Sequence, residues 1–301
     1  MKFSVFQVSR KGGRVKNEDR MGYCYTRGSG LFVLADGMGG HPEGEVASQL
    51  TVQTVTHLYQ QRAKPLIQRP GEFLSDALLA SHHRLLRYAG ERGMLDTPRT
   101  TLVAAVLQGN TASWVHCGDS RLYLVRDGAL FVRTLDHSYL EQGAAHGHVA
   151  PHGASRHVLF TCLGSPSKPT FESTGPVKLK MGDRMLLCSD GVWGNLSDEE
   201  IVRLVASGPV SQAVPELVEM ALRNGGPTSD NVTAIALEWE TPDPFDSTQG
   251  ISPDSIGEGE FASTVEMHEL DTGGDELDDA AIERSIAEIN AAIKRTAARK
   301  I

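Results

Sequence analysis

The chain predicts an α+β fold in which helices lie over antiparallel sheets, and three features of its 301 residues predict it. Nine short runs have strand character, several joined by hairpin-like turns. Four helix candidates come as an early pair and a late pair, not one after each strand as a parallel βαβ design requires. The composition then changes at Thr241, which confines the ordered unit to residues 1–240.

In order, the strand candidates are Phe3–Val8, Arg20–Tyr25 and Leu31–Ala35, then Thr101–Gln108, Ala112–Cys117, Arg121–Arg126 and Ala129–Leu135, and finally Arg184–Ser189 and Val232–Glu238. The turn residues QGN, GDS and RDG link the middle four. The early helix pair is Gly44–Gln61 and Gly71–Gly90; the late pair is Asp198–Ala206 and Val210–Arg223. Residues 241–277 are rich in Pro, Gly, Ser and acids and read as a disordered linker. Residues 278–301 read as an amphipathic helix, with acids first, bases last and Ile282, Ile286, Ile289 and Ile293 on one stripe. That stripe is a candidate surface for self-association or a partner.

Charge excludes one function class. The net charge of −9 lies entirely in residues 241–301, which hold 14 acids and 5 bases, against 24 of each before them. No basic stripe marks a nucleic-acid binder. No apolar run reaches the roughly 20 residues of a membrane span, and the N-terminus lacks a signal-peptide pattern. Cys24, Cys117, Cys162 and Cys188 form no C-x-x-C pair and read as reduced thiols, so the expected location is cytoplasmic.

Chemistry enters through acids placed where burial makes them costly. Asp36, Asp119 and Asp190 close apolar strand-like runs, and Asp230 precedes Asn231 at a turn; Glu18 and Asp19 lie in RVKNEDR. A carboxylate at the mouth of a buried strand needs a cation or donors. One Asp-Gly is an ordinary turn former. The same placement repeated argues for a shared, oxygen-lined site of the kind Mg²⁺ and Mn²⁺ prefer. Arg14, five residues before Asp19, has the guanidinium fork that suits a phosphate.

Six segments in order, RVKNED, LADGMGGHPEGEVAS, HCGDSRLYLVRDG, LDHS, LLCSDGVWGNLSDEEI and SDNVTAI, resemble the motifs of the metal-dependent Ser/Thr protein phosphatases of type 2C, the PPM family, with the bacterial branch the nearest match. The resemblance implies a four-layer αββα sandwich of two antiparallel sheets flanked by helix pairs. It implies hydrolysis of phosphoserine and phosphothreonine in proteins by a metal-activated water, opposing bacterial Ser/Thr kinases. Asp36 is then expected to bridge two Mn²⁺ or Mg²⁺ ions, with the Gly37 carbonyl on one. Asp190 and Asp230 are expected on the first metal, and Asp119 with Asp190 on a third, weaker one. Glu18 and Asp19 are expected to order water around the ions, and Arg14 to bind the substrate phosphate. Met38 stands where eukaryotic members carry a histidine, which leaves His41 as the expected proton donor to the leaving alkoxide.

Other signals weigh less. His137, His146, His148, His152 and His157 match no zinc spacing and read as a solvated flap. Trp114 and Trp193 read as core-packing or loop-anchoring residues, and Thr101 as the start of a strand, where the resemblance implies a Thr near the active site. Ser252 and Thr264 are candidate kinase targets by composition alone. The competing readings are a non-catalytic phosphate-sensing regulator of the same fold, which the complete set of acids disfavours, and a two-metal phosphodiesterase, which the missing basic groove disfavours.

Overall fold

In the computed structural model, residues 1–141, 158–241 and 261–263 are described. Three strands open the chain: β1 (Lys2–Arg10), β2 (Asp19–Tyr25) and β3 (Ser29–Asp36). The helices α1 (Gly44–Arg62) and α2 (Pro70–Glu91) follow. Next come β4 (Leu102–Gln108), β5 (Thr111–Cys117), β6 (Arg121–Arg126), β7 (Ala129–Arg133), β8 (Glu172–Lys178) and β9 (Arg184–Cys188). The helices α3 (Asp190–Trp193), α4 (Asp198–Ala206) and α5 (Val210–Gly225) precede β10 (Val232–Thr241) and β11 (Phe261–Ser263).

Two antiparallel sheets result, in the orders β1-β10-β9-β6-β7 and β11-β2-β3-β4-β5-β8. The layering follows from side-chain alternation, because successive residues of a strand face opposite sides. On β3, Leu31, Val33 and Ala35 join a core shared with α1 and α2, through Val55, Leu58, Leu74 and Leu78. Phe32 and Leu34 of the same strand turn the other way. They meet Leu122, Leu124, Leu187, Ile235 and Trp239 of the first sheet in a core between the sheets. Tyr123, Leu186, Cys188, Ala234 and Ala236 face outward again, under Ile201, Val205, Val214 and Leu217 of α4 and α5. Three cores separate four layers, α over β over β over α, as expected. The central strands are buried on both faces and so read as continuous apolar runs.

The expected helix pairs form within two residues of their predicted ends. α4 starts on a capping box, with Ser197 Oγ accepting from Glu200 N–H and the Glu200 carboxylate accepting from Ser197 N–H. Three elements depart from the sequence reading. β8 was unpredicted: ESTGPVK is an exposed edge strand carrying Gly175-Pro176, with neither alternation nor β-branched density. α3 begins at Asp190, where an Asp-Gly turn was expected. Within the expected linker 241–277, β10 extends to Thr241, and Phe261–Ser263 pairs with β2 at Cys24–Gly22. The rest of that linker and residues 278–301 lie outside the described residues. So do His146, His148, His152, His157, Ser252 and Thr264. The four cysteines are free and buried.

Candidate metal centre

The strand register brings the first two acids together. Asp19 begins β2 and Asp36 ends β3, and the two are directly opposed across the ladder. β4 is threaded to the same spot: Thr101 N–H donates to Asp36 O (2.8 Å), and Asp36 N–H donates to Thr101 Oγ1 (3.0 Å). Thr101 Oγ1 also lies 2.7 Å from Ser120 Oγ, beside Asp119. From the first sheet, Asp190 starts α3 just beyond β9, and Asp230 lies two residues before β10. Thus both sheets deliver carboxylates to one end of the sandwich.

The glycines of the two Asp-Gly pairs let these pieces touch. A Cβ on Gly37 would stand 2.2 Å from Gly44 O, and one on Gly191 would stand 2.0 Å from Asn231 O. Their missing side chains admit neighbouring backbone.

Asn231, which sequence reasoning passed over, laces the segment before β2 to Asp230. Its Oδ1 accepts from Glu18 N–H (2.7 Å), and its Nδ2 donates to Lys11 O (2.8 Å) and Lys16 O (2.9 Å). Ser189 was missed too: its hydroxyl donates to Asp19 Oδ2 (2.8 Å) and accepts from Thr233 N–H (3.1 Å). The only sequence cue to either residue was adjacency to an aspartate.

An open cavity of about 900 Å³ results. Glu18, Asp36, Asp119, Asp190 and Asp230 line it, with Arg14, Lys16, His41 and Thr101. Asp19 lies beneath, fully buried. Every residue named as a site candidate from the sequence is therefore on this wall or just behind it. The cations do not balance the acids. Arg14 is held by Asp230, Nη2 to Oδ2 at 2.5 Å, and Lys16 is held by Glu45.

Burial and the four neighbouring aspartates push the Asp36 carboxyl well above the usual range. Burial pushes Asp19 up to about 6, although Thr233 and Ser189 hydrogen bonds oppose the shift. Burial, then Glu45, raises Glu18. Asp19 Oδ1 is buried without a partner. Crowded carboxylates and an orphaned oxygen are what hard divalent cations satisfy, so the donor set fits them.

A second gathering does not fit a metal. Among the described residues, ring nitrogens of His116 and His137 and a Glu172 carboxylate oxygen lie within 4.8 Å of one another. His137 Nδ1 accepts from Gly118 N–H (3.1 Å), and burial lowers this ring to about 4, so it is neutral with its proton on Nε2. That N–H faces Glu172 at 3.9 Å. A cation there would meet a hydrogen. The pair, stacked at 4.6 Å, instead braces the strand end before Asp119.

His41 Nδ1 sits 2.8 Å from Asp96 Oδ2, a partner with no motif to announce it. Trp193, read as a packing or loop-anchoring residue, donates from Nε1 to Asp119 O (2.9 Å).

A family model described as protein phosphatase 2C matches residues 9–229. The serine/threonine protein phosphatase PstP of Mycobacterium tuberculosis is 35% identical over 233 residues, covering 75% of this chain and 42% of that protein. The chain thus spans less than half the length of that relative. Protein phosphatase PhpP of Streptococcus pneumoniae is 30% identical over 241 residues, covering 76% of this chain and 94% of PhpP. Among solved structures, the catalytic domain of PstP in complex with two manganese ions matches with a TM-score of 0.66 and 35% identity, over 78% of this chain and 97% of that one.

Proposed function

Since this chain belongs to the protein phosphatase 2C family, we propose that it hydrolyses phosphoserine and phosphothreonine in proteins with divalent-cation help and opposes a Ser/Thr kinase. One observation carries the reading: acids from five separate segments converge on one cavity whose cations are already engaged.

Asp36, Asp190 and Asp230 with the Gly37 carbonyl would hold two Mn²⁺ or Mg²⁺ ions, and Asp119 with Asp190 a third, weaker one. Bound there, such ions would supply Lewis acidity and make water nucleophilic near neutral pH. The chain's own groups do the rest. Arg14, half exposed at the rim, exchanges its contact with Asp230 for the oxygens of the entering phosphate, which it can bind with both arms of its fork. Glu18 and Asp19 orient water and hold the inner acids in place. His41 gives a proton to the serine or threonine oxygen as it leaves. No thiol takes part: burial raises Cys24 to about 11 and Cys117 to about 12, far from thiolate at neutral pH.

The buried free cysteines support a reducing, cytoplasmic setting. Among the described residues, no helix is long and apolar enough to cross a membrane. Self-association through residues 278–301 remains a proposal from the isoleucine stripe.

Release of phosphate from a phosphothreonine peptide, measured with Mn²⁺ and with chelator, tests the reading. Metal-dependent turnover is expected in the wild type, with an Asp36→Asn loss of about 10²–10³-fold in kcat, the scale of removing one transition-state electrostatic contact. Metal-independent turnover, or none, would refute it.

A further inference from the structure

The segment between α2 and β4 carries no recognised motif, yet it grips the loop that follows Asp36. Met38 N–H donates to Arg99 O (2.9 Å), and Gly37 and Thr100 form an isolated β-bridge. Within that loop, His41 N–H donates to Met38 O (3.0 Å). His41 thereby hangs from the same strands that fix Asp36.

Its ring is held by Asp96. Asp96 Oδ1 accepts from Thr97 N–H (2.9 Å) and Arg99 Nη2 (3.1 Å), which leaves Oδ2 for His41 Nδ1 at 2.8 Å. The bond to His41 and the Arg99 guanidinium hold the Asp96 carboxyl below its usual range, so it is ionised and can only accept. The proton on Nδ1 is therefore fixed, and Nε2 is the ring nitrogen left for the cavity that His41 lines. Asp96 itself does not line that cavity. This is the base-and-orienter geometry by which a carboxylate sets the tautomer and direction of a catalytic imidazole.

We infer that Asp96 is a positioning residue: it holds the His41 imidazole with Nε2 turned to the substrate, so that the ring can pass a proton to the departing serine or threonine oxygen. The inference rests on the phosphatase reading above. In the step, a water oxygen bonds to phosphorus as the P–O bond to the alkoxide breaks; the imidazolium form of His41, its Nδ1–H held by Asp96, gives its Nε2–H proton to the departing oxygen, which leaves the neutral Nδ1–H ring, and solvent later reprotonates Nε2. Arg99 steadies Asp96 and closes the chain His41–Asp96–Arg99. A bystander contact would have the same distances, so the test must read proton donation itself.

The discriminating experiment compares two substrates. A phosphothreonine peptide leaves as a strongly basic alkoxide; p-nitrophenyl phosphate leaves as a stable phenolate that needs no acid. With Mn²⁺ present, Asp96→Ala should lower kcat on the peptide about tenfold more than on the aryl ester, with KM changed less than twofold. Asp96→Asn, which keeps an acceptor for Nδ1–H, should recover part of the loss. In a His41→Ala background, Asp96→Ala should cost nothing more, because the two act as one unit. Equal losses on both substrates, or an undiminished cost in that background, would overturn the inference. Asp96 is exposed, so thermal melts should match the wild type; if the Ala variant unfolds, the Asn variant in the same cycle tests the same coupling. A wild type inactive on both substrates would instead bring down the phosphatase reading, and this inference with it.

Discussion

Two groups of acids flank the four-residue helix α3, and they are treated in opposite ways. At its start, Asp190 joins the carboxylates around Asp36, which repel one another and outnumber the cations beside them. At its end, Trp193 lies under the Arg121 guanidinium, 3.8 Å from ring centroid to Cζ. Arg121 forks onto Asp136 through Nε (2.7 Å) and Nη2 (2.8 Å). Arg133 bonds Asp198 (3.1 Å) and Glu141 (2.8 Å), and Tyr123 Oη donates to Asp198 (2.8 Å). In that second group every acid has a protein partner, so nothing is left over to bind an ion. The contrast shows that an acid's presence in a cleft says little; whether protein cations already satisfy it says much.

The largest effect should come from unbalancing the satisfied group. Asp136→Ala leaves the buried Arg121 charge without its fork, and removing one member of such a pair costs about 3–5 kcal/mol. Urea unfolding in chelator should show that loss. Under the same conditions Asp36→Asn should raise the midpoint, since a buried carboxyl whose charged form is disfavoured costs stability at neutral pH. If both substitutions destabilise alike, the two groups do not differ as described.

A somewhat smaller effect serves as a control outside both groups. His82 is buried in α2, accepts from Gly164 N–H (3.2 Å), and is lowered to about 4 by burial, then by His83. The unfolded chain, with an ordinary histidine near 6.5, binds a proton that the folded chain refuses. Stability is therefore full above 6.5 and declines by up to about 3 kcal/mol as pH falls from 6.5 toward 4. His82→Asn, which keeps an acceptor for Gly164, should flatten that part of the profile, read as unfolding midpoint against pH.

The smallest effect sharpens the comparison from the metal side. Mn²⁺ at a hundredfold over its Kd should stabilise the wild type by about 2.7 kcal/mol for each site filled. Asp36→Asn should lose that gain, while Asp136→Ala should keep it despite its lower starting stability. Melting temperature against Mn²⁺ concentration gives the answer.

Part of this was legible in the sequence because its cause is local. Continuous apolar runs along β3, β6, β9 and β10 announce strands buried on two faces, and an aspartate closing such a strand stands out against its neighbours. Where the local signal fails, so does the reading. β8 lies on an edge and is largely exposed, so no burial pattern was written into ESTGPVK. Asp96 sits in an exposed loop with nothing before it to mark it. Asn231 looks like a turn residue and Ser189 like a strand end until Lys11, Lys16 and Glu18 reach the one, and Asp19 the other, from more than 150 positions away.

The sequence by itself determined which acids end buried strands, the pairing of the helices and the family to which the motifs point, since each is a property of a few adjacent residues. Only the tertiary structure decided which acids crowd one cavity and which meet a protein donor or cation. Arg14 reaches Asp230, Ser189 reaches Asp19, and Arg121 reaches Asp136 across 216, 170 and 15 positions of chain. The charge state of a buried carboxylate is a sum over everything folded around it, and no short stretch of sequence contains that sum.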